Sequence, residues 1–528
     1  MADHRTLGEL LRNAARDTPD GEAFRYRAER LTYRDWDALA DRLAAGLAAR
    51  GVQAGDVVAL LLPSTPLYLV AYLAAARLGA DTTGINARYR RTEIGHILAR
   101  ARPRLLLAVE RWHDADFRTM VEALPARPDV LWLEADDLRN GTRETVQRIA
   151  GRAAPVAERE VPAEAPAAIV FTSGTTGAPK GAWYAHASLL ALAEIEARRH
   201  PGRGGRAPLH LAAGLSFAHV GSMARIAVQI GNRGATLIHD AFDPAAVLET
   251  IERERLTHIG AIPTQAIMLL DHPDRLRRDL RSLRQVLLGG APSSPDLIRR
   301  VQAELGVEVS VRYSSTEVGI ATASLPDDPP ERLATTVGKP TPGVEMRIAG
   351  DDGGSLPSGS VGGVQVRSPA TMRGYWNDPE ATAAVVDPEG WIRTGDLGFL
   401  DEDGYLHLRG RQSEMFIRGG FNVYPNEIED LLARHPKVAR AAIVGVPDAV
   451  FGEVGWAFVV PREPDQPPTL AELRAFVGAE LASFKRPDGL TLLADLPVTA
   501  MYKVDKQVLR SDPRLRLGPG SRSESSTR

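Results

Sequence analysis

The chain has 528 residues, with 64 Lys and Arg against 67 Asp and Glu, so its formal net charge is −3. Its composition, 44% hydrophobic and 25% charged, is that of a folded globular protein and excludes disordered, collagen-like and coiled-coil classes. The basic excess of proteins that bind nucleic acids by neutralising phosphates is missing. Because the chain has no cysteine, disulfides, thiolate metal sites and cysteine nucleophiles are excluded, and any sulfur chemistry needs a partner's sulfur.

The N-terminal part of the chain alternates between helical and strand-like patterns. An amphipathic helix is predicted within residues 1–20, and a helix, a strand and another helix are predicted at residues 34–50, 57–62 and 67–78. This alternation is typical of βαβ units, in which helices cover a parallel sheet. The longest apolar stretch, residues 67–76, is about half of the roughly 20 residues that span a bilayer. We therefore expect no membrane span and a cytoplasmic protein.

The pattern changes twice toward the C-terminus. Between residues 343 and 408, short apolar runs are separated by turns rich in Gly, Pro and Asp, which predicts an antiparallel β-rich subdomain. Helix and strand patterns resume in a compact stretch after Arg411. We predict an α/β protein with one domain at residues 1–410, a smaller domain at residues 411–515 and a disordered tail at residues 516–528.

The strongest chemical signal follows the apolar run that ends at Phe171. The segment from Thr172 to Gly181 reads Thr-Ser-Gly-Thr-Thr-Gly-Ala-Pro-Lys-Gly. Glycines allow close backbone approach to a ligand, N–H and hydroxyl groups donate to oxyanions, and lysine adds a positive charge. Between a predicted strand and a predicted helix, this segment is expected to hold phosphates, although Pro179 before Lys180 departs from the Walker A pattern. The candidate phosphate-binding residues are Thr172, Ser173, Gly174, Thr175, Thr176, Gly177 and Lys180.

This segment resembles the phosphate loop of the ANL superfamily of adenylate-forming enzymes, which includes acyl- and aryl-CoA ligases, peptide-synthetase adenylation domains and luciferases. Further segments resemble the superfamily's motifs in its order, at residues 313–317, 390–396, 410–414 and 419–429. The resemblance covers nearly the whole chain. It implies a large N-terminal region with parallel α/β sheets and a β-rich subdomain, followed by a small mobile α+β C-terminal domain. It also implies ATP and Mg²⁺ as cofactors and CoA as co-substrate.

The resemblance implies roles for the residues in these motifs. Glu317 is a hard oxygen donor suited to Mg²⁺, and Thr316 would donate to the α-phosphate. Asp396 would accept hydrogen bonds from both ribose hydroxyls, and Arg411 would support the ribose or the phosphates. Without the resemblance, Glu317 reads as a helix-start carboxylate and Asp396 as an Asx turn. The predicted AMP-binding set also contains Gly290, Ala291, Tyr313 and Ser314.

Lys503 is the predicted catalytic lysine. The superfamily pattern Pro-x-Thr-x-x-Gly-Lys implies a lysine that bridges the substrate carboxylate and the α-phosphate, and here Tyr502 stands in place of the glycine. The register selects Lys503, while Lys506 is a weaker candidate. A positive charge aimed at the developing negative centre is worth roughly 3–4 kcal/mol in such reactions. A solvated lysine on a loop is the alternative reading.

The sequence predicts fewer residues for the acid-binding pocket than for the nucleotide site. The resemblance implies that His219, Gly289, Ser314 and Val318 line it, with Ser314 in place of the usual glycine at its floor. It also implies a domain hinge at Ser413. A tunnel for the CoA thiol is expected beside Gly419 and Gly420. His219 has no companion ligand at metal-binding spacing, so we expect it to pack or to gate the pocket.

The resemblance implies a two-step reaction. A carboxylic acid attacks Mg·ATP to form an acyl-adenylate, and the thiol of CoA then takes the acyl group. Three alternatives stay open: the pantetheine of a carrier protein as the thiol, another acceptor such as an amine or ATP-activated nitrite for diazotising an aromatic amine, and a non-catalytic nucleotide-binding protein. The identity of the acid and the oligomeric state cannot be derived from the sequence.

Overall fold

The structure is a computed structural model that describes residues 5–139, 141–157, 159–172, 179–199, 209–213, 216–290, 293–325, 328–499 and 503–517. The first part contains α1 (Leu7–Asp17), β1 (Glu22–Tyr26), β2 (Glu29–Thr32), α2 (Tyr33–Ala48), β3 (Val57–Leu61), α3 (Pro66–Leu78), β4 (Asp81–Gly84), α4 (Arg91–Ala101), β5 (Leu105–Val109), β6 (Arg111–Trp112), β7 (Ala115–Asp116), α5 (Phe117–Glu122), β8 (Asp129–Leu133), α6 (Ala135–Arg139), α7 (Thr142–Ala150) and β9 (Pro166–Phe171).

The middle part continues the alternation of helices and strands. It contains β10 (Gly181–Ala185), α8 (His186–Arg199), β11 (Leu209–Ala213), α9 (Val220–Gly231), β12 (Ala235–His239), α10 (Pro244–Glu254), β13 (His258–Ala261), α11 (Pro263–Asp271), a 3₁₀ turn (Pro273–Leu276), β14 (Gln285–Leu288), α12 (Pro295–Leu305), β15 (Glu308–Ser315), β16 (Gly319–Ala323), α13 (Pro330–Thr335) and β17 (Lys339–Pro340).

The last part is richer in strands. It contains β18 (Glu345–Ala349), β19 (Gly362–Arg367), β20 (Gly374–Tyr375), α14 (Pro379–Val385), β21 (Ile392–Leu400), β22 (Leu406–Arg411), β23 (Phe416–Arg418), β24 (Phe421–Val423), α15 (Pro425–Leu432), β25 (Val438–Asp448), β26 (Gly452–Pro461), α16 (Leu470–Glu480), a 3₁₀ turn (Ser483–Lys485), β27 (Gly489–Leu492), α17 (Lys506–Arg510) and a 3₁₀ turn (Pro513–Leu517).

Two sheets with parallel central or leading strands form much of the body of the N-terminal region. One has the strand order β20-β10-β9-β4-β3-β5-β8, and another has β13-β14-β15-β16-β17. Strands β3 and β5 are buried along their whole length, as expected for the centre of a parallel sheet covered on both faces. Helix α3 covers this sheet and is apolar all round, so nearly every one of its residues is buried. The predicted α/β class with parallel sheets is confirmed.

The β-rich subdomain predicted at residues 343–408 is also confirmed. Strands β18, β19, β21 and β22 pair as an antiparallel sheet. A separate sheet, β24-β23-β26-β25 with β27 beside β26, follows Arg411 and has apolar clusters on both faces. The domain limits at residues 410 and 515 stay predictions, and Arg411 is the last residue of β22.

Two expectations about chain segments need correction. The segment after the phosphate loop is strand β10 and not a helix, because Gly181–Ala185 pairs with β9 in an antiparallel hairpin and the helix begins only at His186. Residues 516 and 517, expected in the tail, lie in a 3₁₀ turn, and residues 518–528 lie outside the described part. Among the described residues, no helix is both long and apolar enough to cross a membrane.

Candidate active site

Two hairpins place the predicted nucleotide residues side by side. Strand β15 carries Tyr313 and turns into β16 through the residues around Glu317. Strands β21 and β22 pair so that Asp396 lies opposite Arg411. The buried hydroxyl of Tyr313 donates a hydrogen bond to Asp396, which joins the two hairpins.

Asp396 is a buried carboxylate with two fixed partners. Its Oδ1 lies 2.8 Å from Nε of Arg411, and its Oδ2 accepts the hydrogen bond from Tyr313. Burial raises the pKa of Asp396, while Arg411 and the Tyr313 hydroxyl lower it. Because an ionised carboxylate has about four acceptor positions, two remain for other donors such as a pair of ribose hydroxyls.

Glu317 is held by two hydroxyls. Its Oε2 accepts a hydrogen bond from Ser315 Oγ at 2.9 Å, and its Oε1 accepts one from the hydroxyl of Tyr375 at 3.1 Å. Next to it, the backbone oxygen of Thr316 accepts a 2.6 Å hydrogen bond from the hydroxyl of Tyr184. The carboxylate of Glu317 is therefore oriented before any ligand binds.

Sequence reasoning missed Tyr375, which connects Glu317 to the phosphate loop. Nζ of Lys180 lies 5.1 Å from the centre of the Tyr375 ring, a cation–π contact. The contact exists because β20 pairs with β10, so that Ala182 lies opposite Tyr375. The available signal was the Gly-Tyr-Trp run at residues 374–376, in a segment that otherwise reads only as turns.

Two hydrogen bonds join Thr172 and Lys180, the residues on either side of the phosphate loop. The N–H of Thr172 donates to the oxygen of Lys180 at 2.9 Å, and the N–H of Lys180 donates to Oγ1 of Thr172 at 3.4 Å. On the outer side, Nε2 of His96 lies 2.9 Å from the oxygen of Pro179. The candidate residues Ser173, Gly174, Thr175, Thr176 and Gly177 lie outside the described residues.

Lys503 lies among the charged residues of the site. It keeps solvent-exposed surface, yet protein surrounds it closely enough that burial, followed by repulsion from Arg411, lowers its pKa. Asp396 and Glu317 act on the pKa of Lys503 in the opposite direction, so both carboxylates are electrostatic neighbours of this amine. A short hairpin positions it, because the N–H of Thr499 donates to the Lys503 oxygen at 2.7 Å. Tyr502 lies outside the described residues.

Lys506, the weaker candidate, has a different environment. Its Nζ lies 2.7 Å from Oε2 of Glu414 and 2.9 Å from Oε1 of Glu429. Burial lowers its pKa, but the two carboxylates outweigh this effect and raise it overall. An amine held by two carboxylates is a structural ion pair, so the geometry favours Lys503 as the lysine that is available to a ligand.

The predicted acid-pocket residues separate into two groups. His219 begins α9, and its Nδ1 accepts a 3.2 Å hydrogen bond from the N–H of Gly221. Burial, with a smaller contribution from Lys503, lowers the pKa of His219 to about 4, so the ring is neutral. Ser314 is exposed. Val318, by contrast, is fully buried in the hydrophobic core, and its place in the acid pocket stays a prediction.

Gly289 and Gly290 follow β14 at the carboxyl edge of its sheet. Gly290 has φ of +81°, which favours glycine, and a Cβ there would lie 3.3 Å from Cγ2 of Ile262. The N–H of Gly289 donates to the oxygen of Ala261 at 3.4 Å. Ala291 lies outside the described residues.

The predicted hinge and CoA residues follow Arg411 in the chain. Ser413 is exposed, and its backbone oxygen accepts a 3.4 Å hydrogen bond from Arg510. Gly419 and Gly420, with φ of +56° and +86°, form the two-residue turn between β23 and β24, as in a type I′ hairpin. Next to this turn, Phe421 is 56% exposed.

No cluster of three or more His, Asp or Glu side chains that could hold a metal ion occurs in the described part of the chain. Glu317 fits Mg²⁺ that arrives with ATP, because Mg²⁺ is then bound by one or two carboxylates together with the phosphates. Its preset carboxylate orientation supports this fit.

Two family models match the chain. The model described as AMP-binding enzyme matches residues 11–376, and the model described as AMP-binding enzyme C-terminal domain matches residues 427–503. A 3-[(3aS,4S,7aS)-7a-methyl-1,5-dioxo-octahydro-1H-inden-4-yl]propanoyl:CoA ligase of Mycobacterium tuberculosis is 38% identical over 523 residues, which are 96% of this chain and 99% of the relative. A feruloyl-CoA synthase of an Amycolatopsis species is 34% identical and covers 97% of this chain and 99% of its own length.

Solved structures agree over the same length. ATP-bound MatB from Rhodopseudomonas palustris has a TM-score of 0.86 and 32% identity, with 95% of this chain and 98% of MatB covered. The amide bond synthetase McbA from Marinactinospora thermotolerans has a TM-score of 0.84 and 33% identity, with 96% of this chain and 99% of McbA covered.

Proposed function

The chain belongs to the AMP-binding enzyme family, and we propose that the site around Asp396 and Lys503 joins a carboxylic acid to CoA. The chain is an ATP-dependent ligase that forms AMP and pyrophosphate, and its reaction uses Mg²⁺. It activates the acid as an acyl-adenylate and then transfers the acyl group to the CoA thiol. The observation that supports the residue assignment is the buried Asp396 carboxylate, held by Arg411 and Tyr313, which acts electrostatically on Lys503 together with Glu317.

In the first step, a carboxylate oxygen of the acid attacks the α-phosphorus of ATP, and the bond to pyrophosphate breaks. Lys503 stabilises the negative charge that develops between the acid and the α-phosphate. Thr316 donates to the α-phosphate. Glu317 would hold the Mg²⁺ that arrives with ATP, and the ion would offset the charge of the phosphates. Lys180 and the hydroxyls of the phosphate loop hold the pyrophosphate oxygens.

Asp396 and Arg411 orient the nucleotide during this step. The two free acceptor positions of Asp396 receive the ribose hydroxyls, and the Arg411 contact holds the carboxylate in the required direction. Fixing the ribose places the α-phosphorus at a constant distance from the acid, which is how positioning contributes to rate.

In the second step, the CoA thiol attacks the acyl carbonyl, a thioester bond forms and AMP leaves. The sulfur comes from the co-substrate, since the chain has no cysteine. We propose that rotation about Ser413 brings the hairpin turn at Gly419 and Gly420 to the thiol's entry path. Carrier-bound pantetheine has the same thiol, and assays with free CoA and with a pantetheinylated carrier separate the two acceptors. We propose that the enzyme works in the cytoplasm, where ATP and CoA are available.

The two half-reactions provide the test of Lys503. We expect Lys503→Ala to abolish acid-dependent pyrophosphate release, because the charge at the α-phosphate is lost, and to retain thioester formation from supplied acyl-adenylate. Lys437→Ala is the matched control, since Lys437 pairs with Glu472 on the same C-terminal part and should leave both half-reactions unchanged. Equal loss of both half-reactions, or loss of neither, would remove Lys503 from this role.

A further inference from the structure

Helix α9 packs one apolar face against the core and leaves the opposite face partly exposed. Met223, Ile226 and Ile230 are buried in the core, whereas Arg225 keeps some exposed surface. On a helix, the residues three and four positions earlier lie on the same face, and here they are Ser222 and Gly221. Both are small, so the surface between Arg225 and the start of the helix is left open.

A second arginine, Arg312, lies nearby in a mostly buried ion pair. Nη2 of Arg312 lies 2.9 Å from Oε2 of Glu196, and the two side chains are 14% and 9% exposed. Nε of Arg312 is buried and has no hydrogen-bond partner in the described part of the chain. Arg312 stands two residues before Ser314 on β15, directly ahead of the nucleotide-site motif.

Glu196 forms an ion pair with Arg312 and acts on Arg225 only through its charge. Burial and repulsion from Arg312 lower the pKa of Arg225, and Glu196 acts in the opposite direction. Within the described residues, no carboxylate lies at ion-pair distance from Arg225 itself. A partly buried guanidinium without a paired anion is costly, and its fork of donors matches a carboxylate in two hydrogen bonds.

Both arginines lie against the parallel strands of one sheet, Arg225 near Gly260 and Arg312 near Gly289. Strands β13, β14 and β15 are parallel, so their carboxyl ends lie together at one edge, the usual location of ligands in such sheets. A Cβ on Gly260 of β13 would lie 3.3 Å from Nη2 of Arg225. A Cβ on Gly289, after β14, would lie 3.8 Å from Cβ of Arg312. Glycines at these positions therefore keep space free around both arginines.

We infer that the acid carries a second carboxylate, which Arg225 and Arg312 bind while the reacting carboxylate lies at Lys503. This inference rests on the proposed function and names the substrate class of the same site. Arg225 follows His219 by six residues, or about 9 Å along the helix axis, and its side chain leans back toward the start of the helix. Since the family resemblance places His219 in the acid pocket, this length of about 9 Å fits a short aliphatic or monocyclic aromatic dicarboxylic acid.

The experiment compares matched acids with the full-length enzyme. Pyrophosphate release with Mg·ATP is measured for adipate against hexanoate, suberate against octanoate, and 4-carboxycinnamate against cinnamate. We expect kcat/KM to be higher for at least one dicarboxylate than for its matched monocarboxylate. Arg225→Met should lower kcat/KM for that dicarboxylate by about 100-fold and change the value for the monocarboxylate by less than about threefold. Arg225→Lys should restore part of the loss, since it returns the charge without the fork of donors.

Arg253→Met is the control, because Arg253 is 55% exposed on α10 and lies outside the site. Binding of Mg·ATP, measured by calorimetry, should be the same for both methionine variants and the wild type, which establishes that Arg225→Met is folded. Wild-type preference for all three monocarboxylates, or an equal effect of Arg225→Met on both acids of a pair, would overturn the inference. Absence of pyrophosphate release with every acid would overturn the proposed function, and the inference with it.

Discussion

Tyr375 makes two contacts within the site, and two substitutions of this residue can measure them separately. Its hydroxyl donates to Oε1 of Glu317 at 3.1 Å, while its ring faces Nζ of Lys180 at 5.1 Å. Tyr375→Phe removes the first contact and keeps the second. Tyr375→Leu removes both, so the two variants together measure each contribution.

The expected magnitudes follow from the nature of the contacts. A hydrogen bond to a charged acceptor contributes about 1.5–3 kcal/mol, and the lower limit applies here because Glu317 is only half-buried and water can replace the hydroxyl. Since about 1.4 kcal/mol corresponds to a tenfold change in rate, Tyr375→Phe should lower kcat/KM for Mg·ATP by about tenfold. A cation–π contact adds about 0.5–1 kcal/mol, so Tyr375→Leu should lose about two- to fivefold more.

The assay is pyrophosphate release at saturating acid with varied Mg·ATP. Tyr26→Phe is the matched control, because the Tyr26 hydroxyl also donates to a carboxylate, that of Asp240, but does so away from the site. Tyr26→Phe should leave kcat/KM unchanged. Wild-type kinetics for Tyr375→Phe, or identical losses in the phenylalanine and leucine variants, would refute the reasoning.

Two further predictions concern stability. Burial, with a smaller effect of Asp56, raises the pKa of Asp81 to about 7, so the folded state binds this proton more tightly and stability falls as pH rises from about 4 to about 7. Asp81→Asn should therefore raise the free energy of unfolding at pH 8 by at most about 4 kcal/mol, with a higher Tm, and should have little effect at pH 4. Calorimetry that shows the same pH dependence of stability in both proteins would contradict this. Gly420→Ala should cost about 1–2 kcal/mol through backbone strain at φ of +86°, whereas Gly363→Ala, a control without positive φ, should cost less in the same thermal melts.

Local chemistry made much of the site predictable. The glycines at positions 419 and 420 are required by a turn that needs positive φ at both residues, so their presence in the sequence marked a backbone feature. The alternation of helical and strand-like segments predicted the parallel sheets, because the periodicity of apolar side chains follows directly from helix and strand geometry. Motif spacing also selected Lys503 over Lys506, and the ion pairs of Lys506 with Glu414 and Glu429 agree with that choice.

Contacts between distant segments were decided by the tertiary structure. Tyr375 contacts Glu317 and Lys180 only because β20 pairs with β10. A strand of two residues is too short for its sequence to predict this pairing. Val318 follows Glu317 directly, yet its side chain is fully buried in the hydrophobic core, whereas Glu317 is only half-buried.

The sequence by itself therefore determined the family and the order of its motifs, and it supplied the residues that we propose to bind ATP. The tertiary structure alone decided which distant charges act on one another, by pairing Arg312 of β15 with Glu196 of α8 and placing both within electrostatic range of Arg225 of α9. The physical reason is that backbone preferences and periodicity act over a few neighbouring residues, whereas the balance of buried charge depends on packing between elements that are far apart in the chain.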